Sequence, residues 1–85
     1  MVVKEIIVKN SSGLQSKSAA VFIQKASVFK STIWIEKDER KANAKSLLGV
    51  LSLSIGGGSR VVVSAAGEDE EKAAEELGNF LKTEV

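Results

Sequence analysis

Strand-like and helix-like hydrophobic periods alternate along this chain in the order βαββαβα. That order predicts a two-layer α/β sandwich, a four-stranded sheet with three helices on one face. Three observations carry the prediction. Short β-branched runs of period two are separated by stretches whose apolar residues recur at i, i+3, i+4 and i+7. Three short amphipathic helices offer enough apolar surface to cover only one face of such a sheet. The chain has 85 residues with no Cys and no His, so a single domain over residues 1–85 must rest on one hydrophobic core, without disulfide or zinc.

Val2 to Val8 reads as the first strand, with Val2, Ile6 and Val8 on one face, interrupted by Lys4, and Val3, Glu5 and Ile7 on the other. Asn10 to Gly13 is turn chemistry. From Ser16 the period becomes helical: Ala19, Phe22, Ala26 and Phe29 form a stripe, with Ala20 and Ile23 beside it. Ser16 or Ser18 is the candidate N-cap, because a serine hydroxyl accepts from a free N–H of the first turn. Ser27 and Lys30-Ser31 end this helix. Thr32 to Lys37 is a β-branched and aromatic strand, with Ile33 and Ile35 pointing one way and Thr32, Trp34 and Glu36 the other.

Asp38-Glu39 makes the next turn, and Arg40 to Asn43 is a short return strand. Ser46 then caps a brief helix that gathers Leu47, Leu48 and Leu51. Gly56-Gly57-Gly58 reads as a flexible connector; without a Gly-Lys-Ser/Thr ending it is not a phosphate loop. Arg60 to Ala65 is the last strand, broken by Gly67. The acidic run Glu68-Asp69-Glu70-Glu71 suits a solvated first turn and launches a helix on Ala73, Ala74, Leu77, Phe80 and Leu81, with Lys82 near its negative end.

The net charge of +1, with both signs scattered, argues against a dedicated nucleic-acid surface, which would carry a clustered basic stripe. No apolar run approaches the ~18 residues of a membrane span, and no charged-then-apolar leader opens the chain, so a cytoplasmic protein is expected. Neither enzymatic activity nor a cofactor or metal is expected. Trp34 should reach the open face of the sheet together with Ile7 and Val62. Such a row either stabilises the sheet across strands or serves self-association as a homodimer.

Two segments carry the functional signal. Ser11-Ser12-Gly13-Leu14-Gln15-Ser16-Lys17-Ser18-Ala19-Ala20 opens onto the first helix pattern, and Asn43-Ala44-Lys45-Ser46-Leu47-Leu48-Gly49 enters the second. Together they resemble the HPr family, the small phosphocarriers of the bacterial sugar phosphotransferase system, over essentially the full chain. In that family the first segment carries Gly-(Ile/Leu)-His-(Ala/Thr)-Arg-Pro-Ala, and its His accepts and passes on a phosphoryl group. Gln15 stands at that position here, and an amide nitrogen is not a usable phosphoryl acceptor near neutral pH. Carrier chemistry at Gln15 is thereby excluded. The serine segment is intact, a combination that resembles the Crh branch of the family, regulatory relatives found in bacilli. The resemblance implies an antiparallel sheet of strand order 1-4-2-3.

It also implies a role for Ser46. On local sequence alone Ser46 is a helix cap, but in the family the same motif surrounds a regulatory phosphorylation site. The implied kinase is HPr kinase/phosphorylase, using ATP or pyrophosphate when glycolytic intermediates are abundant. The phosphorylated chain would then be the corepressor of catabolite control protein A, a LacI-type regulator, without touching DNA itself. A phosphoserine adds about 1.5–2 negative charges, which a helix N-terminus tolerates. Leu47, Leu48 and Leu51 crowd a helix too short to bury all of them. They are either core, with at least one expected there, or an apolar patch matching the family's partner contacts.

Lys17 replaces the family Arg and Ser18 the family Pro. Lysine keeps the charge and loses the planar fork, and the two departures make the old carrier loop look relaxed. Two other classes stay open: an interaction or ligand-binding domain that kept the fold without the Ser46 switch, and a phosphotransferase-system component using another acceptor such as Ser16 or Ser18. The second lacks a neighbouring base in a chain without His.

Overall fold

The computed structural model describes residues 1–9 and 13–83, without the Ser16 side chain. In chain order it contains β1 (Val2–Ile7), α1 (Ser16–Ser27), β2 (Thr32–Lys37), β3 (Arg40–Asn43), α2 (Leu47–Ser52), β4 (Arg60–Ala66) and α3 (Glu70–Lys82). The strands make one antiparallel sheet of order β1-β4-β2-β3. The turn expected at Asn10, Ser11 and Ser12 lies outside the described residues.

Period two sorts the sheet as anticipated. Ile6, Val8, Ile33, Ile35, Val61, Val63 and Ala65 are buried beneath the helices. From above come Ala19, Phe22 and Ala26 of α1 and Ala73, Ala74, Leu77 and Leu81 of α3, also buried. The Phe22 and Phe80 rings sit tilted with centroids 6.2 Å apart where α1 meets α3. Ala20 departs from the expected stripe: one residue past Ala19, it turns to solvent, while Ile23 is half-buried at the margin.

The expectation that at least one leucine of the second helix is core is overturned. Leu47, Leu48 and Leu51 are 43%, 82% and 40% exposed. Spaced at i, i+1 and i+4, they share one side of α2, while Val50 and Leu53, three apart, take the other and are buried. Helical geometry, not hydrophobicity, decided which residues went inside.

Hydrogen bonding corrects one further expectation. The glycine run is not a loose connector. Gly56 N–H donates to Ser59 Oγ at 3.2 Å, Ser59 N–H to the Gly56 carbonyl at 3.2 Å and Gly58 N–H to the Val8 carbonyl at 2.8 Å. Gly58 adopts φ +84°, a conformation that suits a residue without Cβ. Trp34, Ile7 and Val62 do share the open face of the sheet as expected, but as diagonal neighbours rather than directly paired residues. Trp34 lies directly across from Ser64 and Asn43, Val62 across from Glu5 and Glu36, and Ile7 across from Arg60. Trp34 is half-buried, and the Lys41 ammonium lies over its ring, 5.4 Å from the centroid.

Candidate functional site

The β3–α2 loop is built by main-chain bonds that leave little freedom at its centre. Ala44 N–H donates to the Ile33 carbonyl at 2.9 Å, tying the loop to β2. Asn43 serves twice: its Oδ1 accepts Lys45 N–H at 2.8 Å and its carbonyl accepts Ser46 N–H at 3.0 Å. Ser46 follows in extended geometry (φ −108°, ψ 114°) and caps α2 as expected, its Oγ accepting Gly49 N–H at 3.2 Å. Ser46 is half-exposed, with the three exposed leucines on the turn that follows it. At the far end of α2, Arg40 Nη2 donates to the Ser52 carbonyl at 3.1 Å and Lys37 Nζ to the Ser54 carbonyl at 2.9 Å. The Ser52 carbonyl is one that the helix end leaves unpaired, and both cations sit near the negative end of α2.

The carrier-like loop is anchored to the segment just beyond α2. Leu14 N–H donates to the Ile55 carbonyl at 2.9 Å. Gly13 runs so close at φ +66° that a Cβ there would sit 2.1 Å from the Ile55 carbonyl oxygen. The helix cap is neither Ser16 nor a Ser18 placed before the helix. Gln15 is the N-cap, exposed and extended, and Ser16 is already helical. Ser18, in the third helical position, reaches back: its Oγ accepts Gln15 N–H at 3.2 Å and donates to the Gly13 carbonyl at 2.7 Å. Those two bonds hold the helix entry where a proline would hold it through φ. Lys17 is exposed beside it.

Two contacts were not legible in the motif. Lys45 Nζ donates to the Phe29 carbonyl at 2.7 Å, just past the end of α1. Asp69, in the turn before α3, accepts from Lys30 N–H and Ser31 N–H, each at 2.9 Å, and from the Ser31 hydroxyl at 2.5 Å. The Ser31 hydroxyl, and then the Lys30 N–H, hold the Asp69 carboxyl down at about 2. Glu70 is also lowered, first by Gly67 N–H and then by the Met1 ammonium 3.1 Å away. No group of side chains suited to a metal occurs among the described residues.

The family model for the PTS HPr component phosphorylation site matches residues 2–83. The chain belongs to the HPr family. The HPr-like protein Crh of Halalkalibacterium halodurans is 48% identical over 84 residues, covering 99% of this chain and 100% of that protein. The crystal structure of the phosphocarrier protein HPr from Bacillus anthracis matches with TM-score 0.94 at 42% identity, over 95% of this chain and 96% of that one. The crystal structure of Bacillus subtilis Crh, described as a dimer with a swapping domain, matches with TM-score 0.76 at 42% identity, over 95% of this chain and 93% of that one. The βαββαβα order, the antiparallel pairing and the strand order expected of an HPr fold are those found here. β1 pairs with β4, Val2 opposite Ala65 through Ile7 opposite Arg60.

Proposed function

We propose that this chain is a Crh-type regulator of carbon catabolite repression, a cytoplasmic non-enzyme switched by phosphorylation of Ser46. The observation that carries this reading is the pairing of Gln15 at the carrier position with a complete Asn43–Gly49 segment whose serine starts a helix beside three exposed leucines. HPr kinase/phosphorylase is the proposed kinase. The Ser46 Oγ attacks the γ-phosphorus of ATP, the bond to the ADP oxygen breaks, and the hydroxyl proton passes to the kinase. The product carries three strong acceptor oxygens at the start of α2, where added negative charge is tolerated without unfolding.

Catabolite control protein A is the proposed reader. An Arg or Lys of that repressor would meet the phosphate, Leu47, Leu48 and Leu51 would supply apolar contact, and exposed Lys17 would add a positive charge. Ser18 is a poor alternative acceptor, since its hydroxyl is already engaged with the Gln15 N–H and the Gly13 carbonyl. The dimeric Crh of Bacillus subtilis supports a homodimer as one assembly of this chain. Titration of the repressor with phosphorylated and unphosphorylated chain tests the reading. It predicts binding at least about tenfold tighter for the phosphorylated form, and equal binding contradicts it.

A further inference from the structure

Lys45 immediately precedes Ser46, yet its charged head is turned inward. Its ammonium donates to the Phe29 carbonyl at 2.7 Å in a part-buried position at the C-terminal end of α1. A cation is favoured at that end of a helix, and its bond to a carbonyl is stronger than a neutral one. The carbonyl is a firm anchor. The Phe29 side chain is buried, its N–H bonds the Ala26 carbonyl at 3.2 Å, and the next two residues are clamped by the Asp69 carboxylate. Lys45 is also held at its main chain, by Asn43 Oδ1. Ser46 Oγ, by contrast, is held by one 3.2 Å bond from Gly49 N–H. To the main-chain bonds that shape the loop, the residue before the serine therefore adds a side-chain tie to a separate element.

We propose that Lys45 is a positioning residue for Ser46, an internal strut from the β3–α2 loop to the end of α1 that presents the hydroxyl to the kinase. The proposal rests on Ser46 being the phosphorylated residue. It differs from a charge read directly by the kinase, because the ammonium is already committed to this chain's own carbonyl. Removing it takes away one positive charge together with the strut, and the loosening of the acceptor is what exchange at Gly49 reads separately from that charge. Bringing the hydroxyl into line with the phosphorus is then the step that suffers.

Lys45→Met and Lys45→Arg, compared with the natural chain, test it by two readouts. The first is Ser46 phosphorylation by purified HPr kinase/phosphorylase and ATP, with kcat and KM separated at low and at raised salt. The second is hydrogen exchange of the Gly49 amide, which needs no kinase. Lys45→Met should lower kcat about tenfold with KM little changed and no salt dependence, and should speed Gly49 exchange by a similar factor. Lys45→Arg, which can still donate to the Phe29 carbonyl, should restore both. A salt-sensitive rise in KM with Gly49 exchange unchanged overturns the proposal in favour of a direct kinase contact. Unchanged kinetics and exchange overturn it as well. If the natural chain is not phosphorylated on Ser46, the functional reading falls and the positioning role with it, whereas faster Gly49 exchange in Lys45→Met would still establish the strut.

Discussion

Alanine at Leu48 and alanine at Leu53 should have opposite consequences, although the two leucines lie five residues apart. Fully burying a leucine side chain stabilises by about 1.5–3 kcal/mol. Leu48 is 82% exposed, so about a fifth of that is at stake, roughly 0.3–0.6 kcal/mol. Leu47 at 43% and Leu51 at 40% should fall between, at roughly 1–2 kcal/mol each. Leu53 is 4% exposed, and truncating it adds a cavity, for a total of about 2–5 kcal/mol. In a chain of this size 1 kcal/mol moves the melting temperature by about 4–8 °C. Leu48→Ala should therefore melt within about 5 °C of the natural chain, and Leu53→Ala at least about 8 °C below it. Repressor affinity of the phosphorylated variants should run the other way, with Leu48→Ala weakened about tenfold at nearly full stability. A Leu48→Ala protein that melts as low as Leu53→Ala, or binds the repressor as tightly as the natural chain, would refute the assignment of this patch to partner contact.

Asp69 makes stability fall in acid. Its folded pKa of about 2 lies below the unfolded aspartate value, so its contribution is present above about pH 4 and lost as pH falls through about 2. Melting curves of Asp69→Asn should lack that portion of the acid decline; a parallel decline would remove Asp69 as its source. Asp38 and Glu39 have φ of +51° and +66° in the two-residue β2–β3 turn, which favours glycine in second place. Glu39→Gly should raise stability by about 1 kcal/mol, the relief of a left-handed side chain less the chain entropy of glycine. A lowered melting temperature would contradict the turn geometry. Incubation with phosphoenolpyruvate and the general phosphotransferase enzyme should leave the intact mass unchanged, because no His is present. An acid-labile phosphoryl adduct would overturn that.

Regular elements were legible because their signals are local. Thr32–Lys37 needed only its β-branched and aromatic run, Arg40–Asn43 only the two-residue turn that sends the chain back, and the α3 stripe only helical spacing. The Ser46 cap was readable for the same reason, with donor and acceptor three residues apart. What escaped depended on the third dimension. The Asp69 clamp joins residues 38 and 39 apart, and the Lys45 strut spans 16. Neither leaves a pattern in the chain. The leucines of α2 misled for a subtler reason. Apolar character left core and surface open for Leu47, Leu48 and Leu51 with at least one expected inside, and only the phase of the helix against the sheet chose Val50 and Leu53 over all three. At the carrier loop a serine was expected at the helix entry, but that Ser18 would reach back from the third helical position to Gln15 N–H and the Gly13 carbonyl was not legible.

The central claim is that Ser46 is the switch, and site mapping after treatment with HPr kinase/phosphorylase and ATP tests it most directly. The account predicts one acid-stable phosphoryl group on the intact chain, located at Ser46 by fragmentation and absent from Ser46→Ala. That variant should remain folded at a cost of ~1 kcal/mol for the lost cap. Labelling that persists in folded Ser46→Ala, or no labelling of the natural chain, would contradict it.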